Sequence, residues 1–183
     1  MLDLKDMENQ TINIVREGYA ESKKPAVIWS VGKDNATMRW LCRKAFFGKI
    51  PFPVIHIDTG YKFKRIDEFR DRIAREWGLD LRIARNTKAQ AEGVGPHTSD
   101  KLDCCTKLKT EALILARRRD EHGIRAKERY FSPRDEQFKW DYRNQPLEMW
   151  DQFQGLLKLG THMRIHRILH WRGRAAWEYV LQF

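Results

Sequence analysis

Ser30-Val31-Gly32-Lys33-Asp34-Asn35 groups residue types that can hold an oxyanion. It follows the apolar run Ala26-Val27-Ile28-Trp29 and precedes a helical pattern, so free N–H groups at a helix start would face the anion. Gly32 lets the backbone come close, and Lys33 adds charge. The hexad is neither Gly-x4-Gly-Lys-[Ser/Thr] nor Gly-x-Gly-x-x-Gly, and taken alone an ordinary capped strand–helix turn would account for it. The second chemical feature is the pair Cys104-Cys105. A bridge between neighbours would be strained, and no second cysteine pair completes a zinc site, so no complete iron–sulfur cluster is expected. With Lys101 and Lys107 nearby at a helix start, one thiol would be acidified, as suits a nucleophile or persulfide carrier. Cys104 and Leu108 also share a helical face, which is the apolar alternative. Cys42 lies on an apolar stripe and reads as core. The lone histidines, including His97 and His122, have no metal-ligand spacing.

Charge narrows the ligand class. Among 183 residues, 35 Lys and Arg stand against 25 Asp and Glu, a net charge of +10, which points to an anionic ligand: nucleotide, sulfate, pyrophosphate or nucleic acid. No apolar run is long enough for a membrane helix, and Met1 to Asp6 lacks the pattern of a secretory signal, so no membrane and a cytoplasmic location are expected.

The elements that must position these residues follow from periodicity. Leu4, Met7, Thr11, Ile14, Val15 and Gly18 predict a helix ending near Ala20. Ala26–Trp29 and Val54–Asp58 read as buried parallel strands, Leu81–Ala84 as a weaker third. Between them, Met38, Leu41, Cys42 and Ala45 stripe one helix, and Phe63, Ile66, Phe69, Ile73 and Trp77 stripe another, capped at Gly78. This predicts an α/β fold, a parallel twisted sheet with helices on both faces and a ligand at the carboxyl ends of the strands. Gly93–Ser99 reads as a mobile loop, and a helix is predicted from about Cys105 to Arg118. Residues 163–169 alternate like an exposed edge strand, and 171–183 form a last helix. The reading is one domain over 1–183, basic and aromatic from about 117.

The hexad resembles the pyrophosphate-binding loop, Ser-x-Gly-x-Asp-Ser, of the ATP pyrophosphatase superfamily. Further blocks resemble the phosphoadenosine-phosphosulfate reductase family, and within it the small subunits of sulfate adenylyltransferase. They are Ile55-His56-Ile57-Asp58-Thr59-Gly60-Tyr61-Lys62-Phe63, Lys109-Thr110-Glu111, Arg118-Arg119-Asp120-Glu121, Arg125-Ala126-Lys127-Glu128-Arg129 and Trp140-Asp141-Tyr142-Arg143-Asn144-Gln145. The resemblance implies an adenine nucleotide α-hydrolase-like fold and ATP cleavage between the α and β phosphates, with Mg²⁺ bridging phosphates. It implies that Ser30, Gly32, Lys33, Asp34 and Asn35 hold the β and γ phosphates, with Asp34 reaching the metal through them. Asp58, Thr59 and Gly60 would line the nucleotide cleft, and the backbone of Ala26, Ile28 and Trp29 would edge the adenine. Arg118, Arg119, Arg125, Lys127 and Arg129 would neutralise the triphosphate. Lys33, Asp34 and Arg119, with Cys104 and Cys105, form the expected catalytic set.

The chain departs from the pattern in several places. Asn35 stands for the family's serine, too few residues separate Glu111 from Arg118 for a further strand, and a basic stretch from Trp171 to Trp177 replaces an acidic one. The chain also stops short of a typical small subunit. The missing C-terminal part counts against such a subunit, and the cysteine pair favours an ATP-dependent sulfurtransferase. It would adenylate a carbonyl-type oxygen of a small nucleobase-like acceptor and install sulfur through a persulfide, drawing on sulfide or a persulfide-carrying protein. A homo-oligomer is compatible with this. The alternative is a sulfate adenylyltransferase small subunit, which would bring a GTPase subunit as partner. A nucleic-acid-binding module ranks last, because no RNA-binding signature accompanies the charge.

Overall fold

The computed structural model describes residues 3–22, 24–100, 104, 107–108, 129–135, 140–146, 148 and 161–182. They fall into two compact units, one built from 26–32 and 49–114, the other from residues up to 25, 33–48 and 115 onwards.

The first unit is built on a parallel sheet, β1 (Val27–Ile28), β2 (Val54–Ile57) and β3 (Leu81–Ala84), in the order β1-β2-β3. Val27 pairs with Val54, and Val54 with Leu81. All three strands lie where the apolar runs predict them, because β-branched side chains pack well on a pleated, buried surface. Trp29 extends the pairing by donating its N–H to the Ile55 carbonyl at 2.8 Å, and Asp58 does so at the other edge, to Ala84 at 2.9 Å. Two helices belong here, α3 (Lys64–Glu76) and the short α4 (Thr87–Ala91), the latter capped by the Asn86 side chain on the Ala89 N–H.

The α3 stripe holds at Ile66, Phe69, Ile73 and Trp77, which are half-buried, and needs correction at its start. Phe63 is 83% exposed, whereas Arg70 is buried and tied to Asp67 at 2.6 Å and Asp71 at 2.7 Å. One carboxylate a turn earlier and one on the next residue satisfy the guanidinium, so the charged residue can take the inward position. The segment expected as a mobile loop is a hydrogen-bonded turn in which Thr98 and Ser99 both donate to the Gly95 carbonyl, while Val94 is buried.

The second unit holds α1 (Leu4–Glu21), α2 (Lys33–Ala45), a ribbon of β4 (Phe131–Arg134) and β5 (His162–Ile165), a 3-10 turn (Tyr142–Asn144) and α5 (Gly173–Val180). Ile14, Tyr130, Phe131 and Leu169 make its apolar core, with Met163 and Ile165 against them. Gly18 is where α1 comes closest to β5: a Cβ there would lie 2.6 Å from Ile165 Cδ1. Buried Thr11 accepts from Trp171 Nε1 at 2.9 Å and itself donates to Met7 O at 2.8 Å. Glu8 on α1 accepts from Lys44 on α2 and from the Tyr179 hydroxyl on α5, joining the three helices. Cys42 is fully buried, as its stripe predicts, with Arg167 Nη1 3.4 Å from its sulfur.

Here too the sequence reading is corrected. The strand expected in the tail is present as β5, but it is not exposed: it pairs antiparallel with β4, Phe131 against Ile165, and both Arg164 and His166 are buried. β4 escapes sequence reading because it contains Pro133, which demotes a strand signal. The proline sits without loss on a two-stranded ribbon, and its carbonyl accepts from the Asp141 N–H at 3.0 Å. The segment between Glu111 and Arg118 and most of the predicted helix from Cys105 lie outside the described residues.

Candidate active site

The hexad occupies the connection its sequence predicts, from the end of β1 to the first turn of α2. Its backbone is unusual at Val31, with φ +66°, a left-handed conformation that β-branched residues rarely take. Such strain costs on the order of 1–3 kcal/mol and persists where the surroundings enforce it. Ser30 and Gly32 are exposed, and Lys33, Asp34 and Asn35 are half-buried in the first turn of α2. Lys33 Nζ lies 3.4 Å from Asp34 Oδ1 and 6.0 Å from the Trp177 ring centre. N–H groups of a helix's first turn have no intrahelical acceptor, and the helix dipole favours an anion there.

At the carboxyl end of β2 the chain turns through Asp58-Thr59-Gly60. Gly60, at φ +78°, donates its N–H to Asp58 Oδ1 at 2.8 Å, a turn that needs a residue tolerant of the left-handed region. Asp58 Oδ2 is gripped by Arg85 from the end of β3, at 2.7 Å from Nε and 2.6 Å from Nη2. Burial works against the ionised carboxyl, but the Gly60 and Arg85 hydrogen bonds and the Arg85 and Lys62 charges outweigh it, so Asp58 titrates below the usual value. Asp58, Gly60, Lys62, Asp67, Arg85 and Gln90 line a polar cavity of about 270 Å³. Of the lining residues, sequence reasoning named Asp58 and Gly60 for the site and did not name Lys62, Asp67, Arg85 or Gln90; Thr59, which it also named, is buried beside them and is not part of the lining. Lys62 stands in the same quoted block as Asp58, so its signal was available; Arg85 and Gln90 had none beyond following a strand.

Beneath the cavity is His56, fully buried on β2. Its Nδ1 lies 2.8 Å from the Trp29 carbonyl, and Lys62 Nζ lies 3.0 Å from Nε2. The carbonyl can only accept, so Nδ1 carries the proton and Nε2 receives the lysine. The carbonyl and N–H of Trp29 are thus committed within the sheet, as its buried ring is in the core. Since Val27 and Trp29 donate to β2, the intervening Ile28 directs its N–H and C=O away from it.

Of the remaining expected residues, Ala26 and Arg129 are exposed. Cys104 packs against Ala89, Val94 and Leu108, the apolar environment that its i, i+4 partner predicted. Cys105, Arg118, Arg119, Arg125 and Lys127 lie outside the described residues. Among the described residues no three His, Cys, Asp or Glu side chains are grouped to hold a metal ion, and no helix is long and apolar enough to cross a membrane.

The model of the phosphoadenosine phosphosulfate reductase domain family matches residues 24–182. The chain belongs to this family. Its α/β fold with a parallel sheet agrees with that membership. Sulfate adenylyltransferase subunit 2 from Pseudomonas aeruginosa is 40% identical over 97% of this chain and 62% of its own length. The proteins of that name from Photorhabdus laumondii and Shewanella sediminis are 37% and 39% identical over 97% of this chain and 63% of theirs. The chain therefore spans about three fifths of the curated relatives it matches.

Proposed function

We propose that this family member transfers the adenylyl group of ATP to sulfate, giving adenylyl sulfate and pyrophosphate. The observation that carries this reading is the 40% identity to a sulfate adenylyltransferase subunit 2 across 97% of the chain. It favours sulfate as acceptor over the sulfur transfer that the cysteine pair suggested. A sulfate oxygen attacks the α-phosphorus, the bond from that phosphorus to the bridging oxygen breaks, and pyrophosphate leaves with the electron pair. The work left for the protein is positioning and charge neutralisation.

Ser30, Gly32, Lys33 and Asn35 would hold the departing pyrophosphate at the start of α2, with Arg118, Arg119, Arg125, Lys127 and Arg129 adding charge. The outward backbone of Ile28 suits an adenine edge. Mg²⁺ is bound to nucleotides largely by phosphates and water plus one or two carboxylates, and the half-exposed Asp34 fits that need; the ion would supply charge neutralisation on the phosphates. A GTPase subunit as partner belongs to the same reading. The deciding experiment follows ATP turnover with and without sulfate: sulfate-dependent AMP-linked product and pyrophosphate are expected, and release of ADP and phosphate would refute the reading.

A further inference from the structure

The β4–β5 ribbon has two unlike faces. Phe131 and Ile165 enter the apolar core, and the alternate positions Ser132, Arg134 and Arg164 share the other face. Ser132 stands directly opposite Arg164, Arg134 is diagonal to Arg164, and His166 continues the ladder by donating its N–H to the Tyr130 carbonyl at 2.7 Å. This second face is as buried as the first: Ser132 and His166 are 0% exposed, Arg134 5% and Arg164 8%. Buried guanidiniums are uncommon, and like charges on one face of a ribbon repel unless they are paired.

The three basic side chains are engaged with their surroundings. Ser132 is different, because its buried hydroxyl has no hydrogen-bond partner. A buried donor left unmade is costly, and such donors mark places where a ligand or water binds. The set consists of groups that donate to an anion: a hydroxyl, two planar forks and an imidazole. The ribbon lies in the same compact unit as Lys33 and Asp34.

We propose that this face is the subsite for a small tetrahedral oxyanion, the acceptor sulfate, with Ser132 Oγ donating to one oxygen and Arg134 and Arg164 supplying the charge. The assignment rests on the sulfate-adenylating reading. Sulfate has four acceptor oxygens and no proton to give at neutral pH, so it asks for donors alone. Phosphate oxygens of the nucleotide share this chemistry, and the test separates the two sources.

The full chain is titrated with sodium sulfate against sodium chloride at constant ionic strength, and separately with MgATP and with pyrophosphate, while thermal unfolding is followed. A ligand of the folded state raises the melting temperature saturably. Ser132→Ala removes an unpartnered hydroxyl and leaves the fold at least as stable. It is expected to raise the half-saturating sulfate roughly tenfold, the loss of one charge-assisted hydrogen bond, and to leave MgATP and pyrophosphate unchanged. Arg164→Lys, which keeps the charge and loses the fork, should shift sulfate in the same direction.

A wild-type chain without saturable sulfate protection, or variants with unaltered sulfate response, would overturn the subsite. So would variants that weaken MgATP instead, since the face would then serve the nucleotide. Sulfate-dependent AMP-linked product formation with wild-type sulfate KM in both variants would sink the subsite and leave the proposed function standing. Sulfate binding lost in the variants, from a wild-type chain that forms no such product, would support the subsite and sink the function.

Discussion

Lys62 Nζ lies 3.0 Å from Nε2 of the fully buried His56, whose other ring nitrogen is fixed on the Trp29 carbonyl at 2.8 Å. Burial first, and the Lys62 charge second, hold this imidazole below its ordinary value; the Arg70 charge acts the same way, whereas the Trp29 bond and Asp67 oppose it. The neutral ring is thus part of the fold, and together with the Ile57 carbonyl it holds the Lys62 ammonium at the cavity.

The sign of the pH effect follows. The unfolded chain takes up its His56 proton near 6.5 and the folded chain only at lower pH, so the stability His56 contributes is complete above about 6.5 and declines as pH falls through the folded value. The melting temperature should therefore fall on acidification below that point. His56→Gln should lower it at pH 8 and flatten the slope between pH 7 and 5, because the variant has no imidazole to protonate. Parallel pH profiles for the two proteins would remove His56 as the cause.

Val31 offers a test of backbone strain. At φ +66° a valine is held where glycine rests freely. Val31→Gly relieves that strain and gives back part of it in unfolded-chain entropy and lost packing, for a net gain of about 1 kcal/mol and roughly 2–4 °C in melting temperature. A lower melting temperature for the glycine variant would show that the valine side chain contributes more than its conformation costs.

Lys33 separates site from scaffold. Its side chain is half-buried and its partner Asp34 lies at 3.4 Å, a partly solvated pair of little structural worth. Lys33→Ala should leave the melting temperature within about 1 °C and lower sulfate-dependent AMP-linked product formation on the order of a hundredfold, the usual loss when a charge on the developing anion is removed. Unchanged turnover would take Lys33 out of the anion site.

The parallel half of the fold was legible because Val27, Ile28, Val54 and Ile55 are apolar runs bounded by turns, a pattern that buried parallel strands share. The hexad was legible because loop chemistry is local in sequence. The ribbon was legible only in part: the alternation over 163–169 marks the strand β5, but not its burial, and β4 with Pro133 carries no strand signal, so only tertiary pairing turns Arg134, Arg164 and His166 inward. Arg85 is the same kind of case at the site: its role is created by Asp58, 27 positions earlier in the chain, which no periodicity reports.

Cys104 separates the two acceptor chemistries. Its packing with Ala89, Val94 and Leu108 makes it a small apolar residue of a satellite cluster. If sulfate is the acceptor, no covalent sulfur is needed, and Cys104→Ala should form adenylyl sulfate at close to the wild-type rate. Cys104→Ser should do so too, with about 1–2 kcal/mol less stability because a hydroxyl replaces the thiol among apolar side chains. If a Cys104 persulfide carried sulfur, both variants would keep adenylating the acceptor and lose the thiolated product, since neither methyl nor hydroxyl can hold a persulfide. The measurement is mass spectrometry of products formed from ATP with sulfate, and from ATP with sulfide and nucleobases. Adenylyl sulfate from wild type and both variants, with no thiolated base from any of them, is the expected result. A thiolated base from wild type that disappears in Cys104→Ala would return the chain to sulfur transfer.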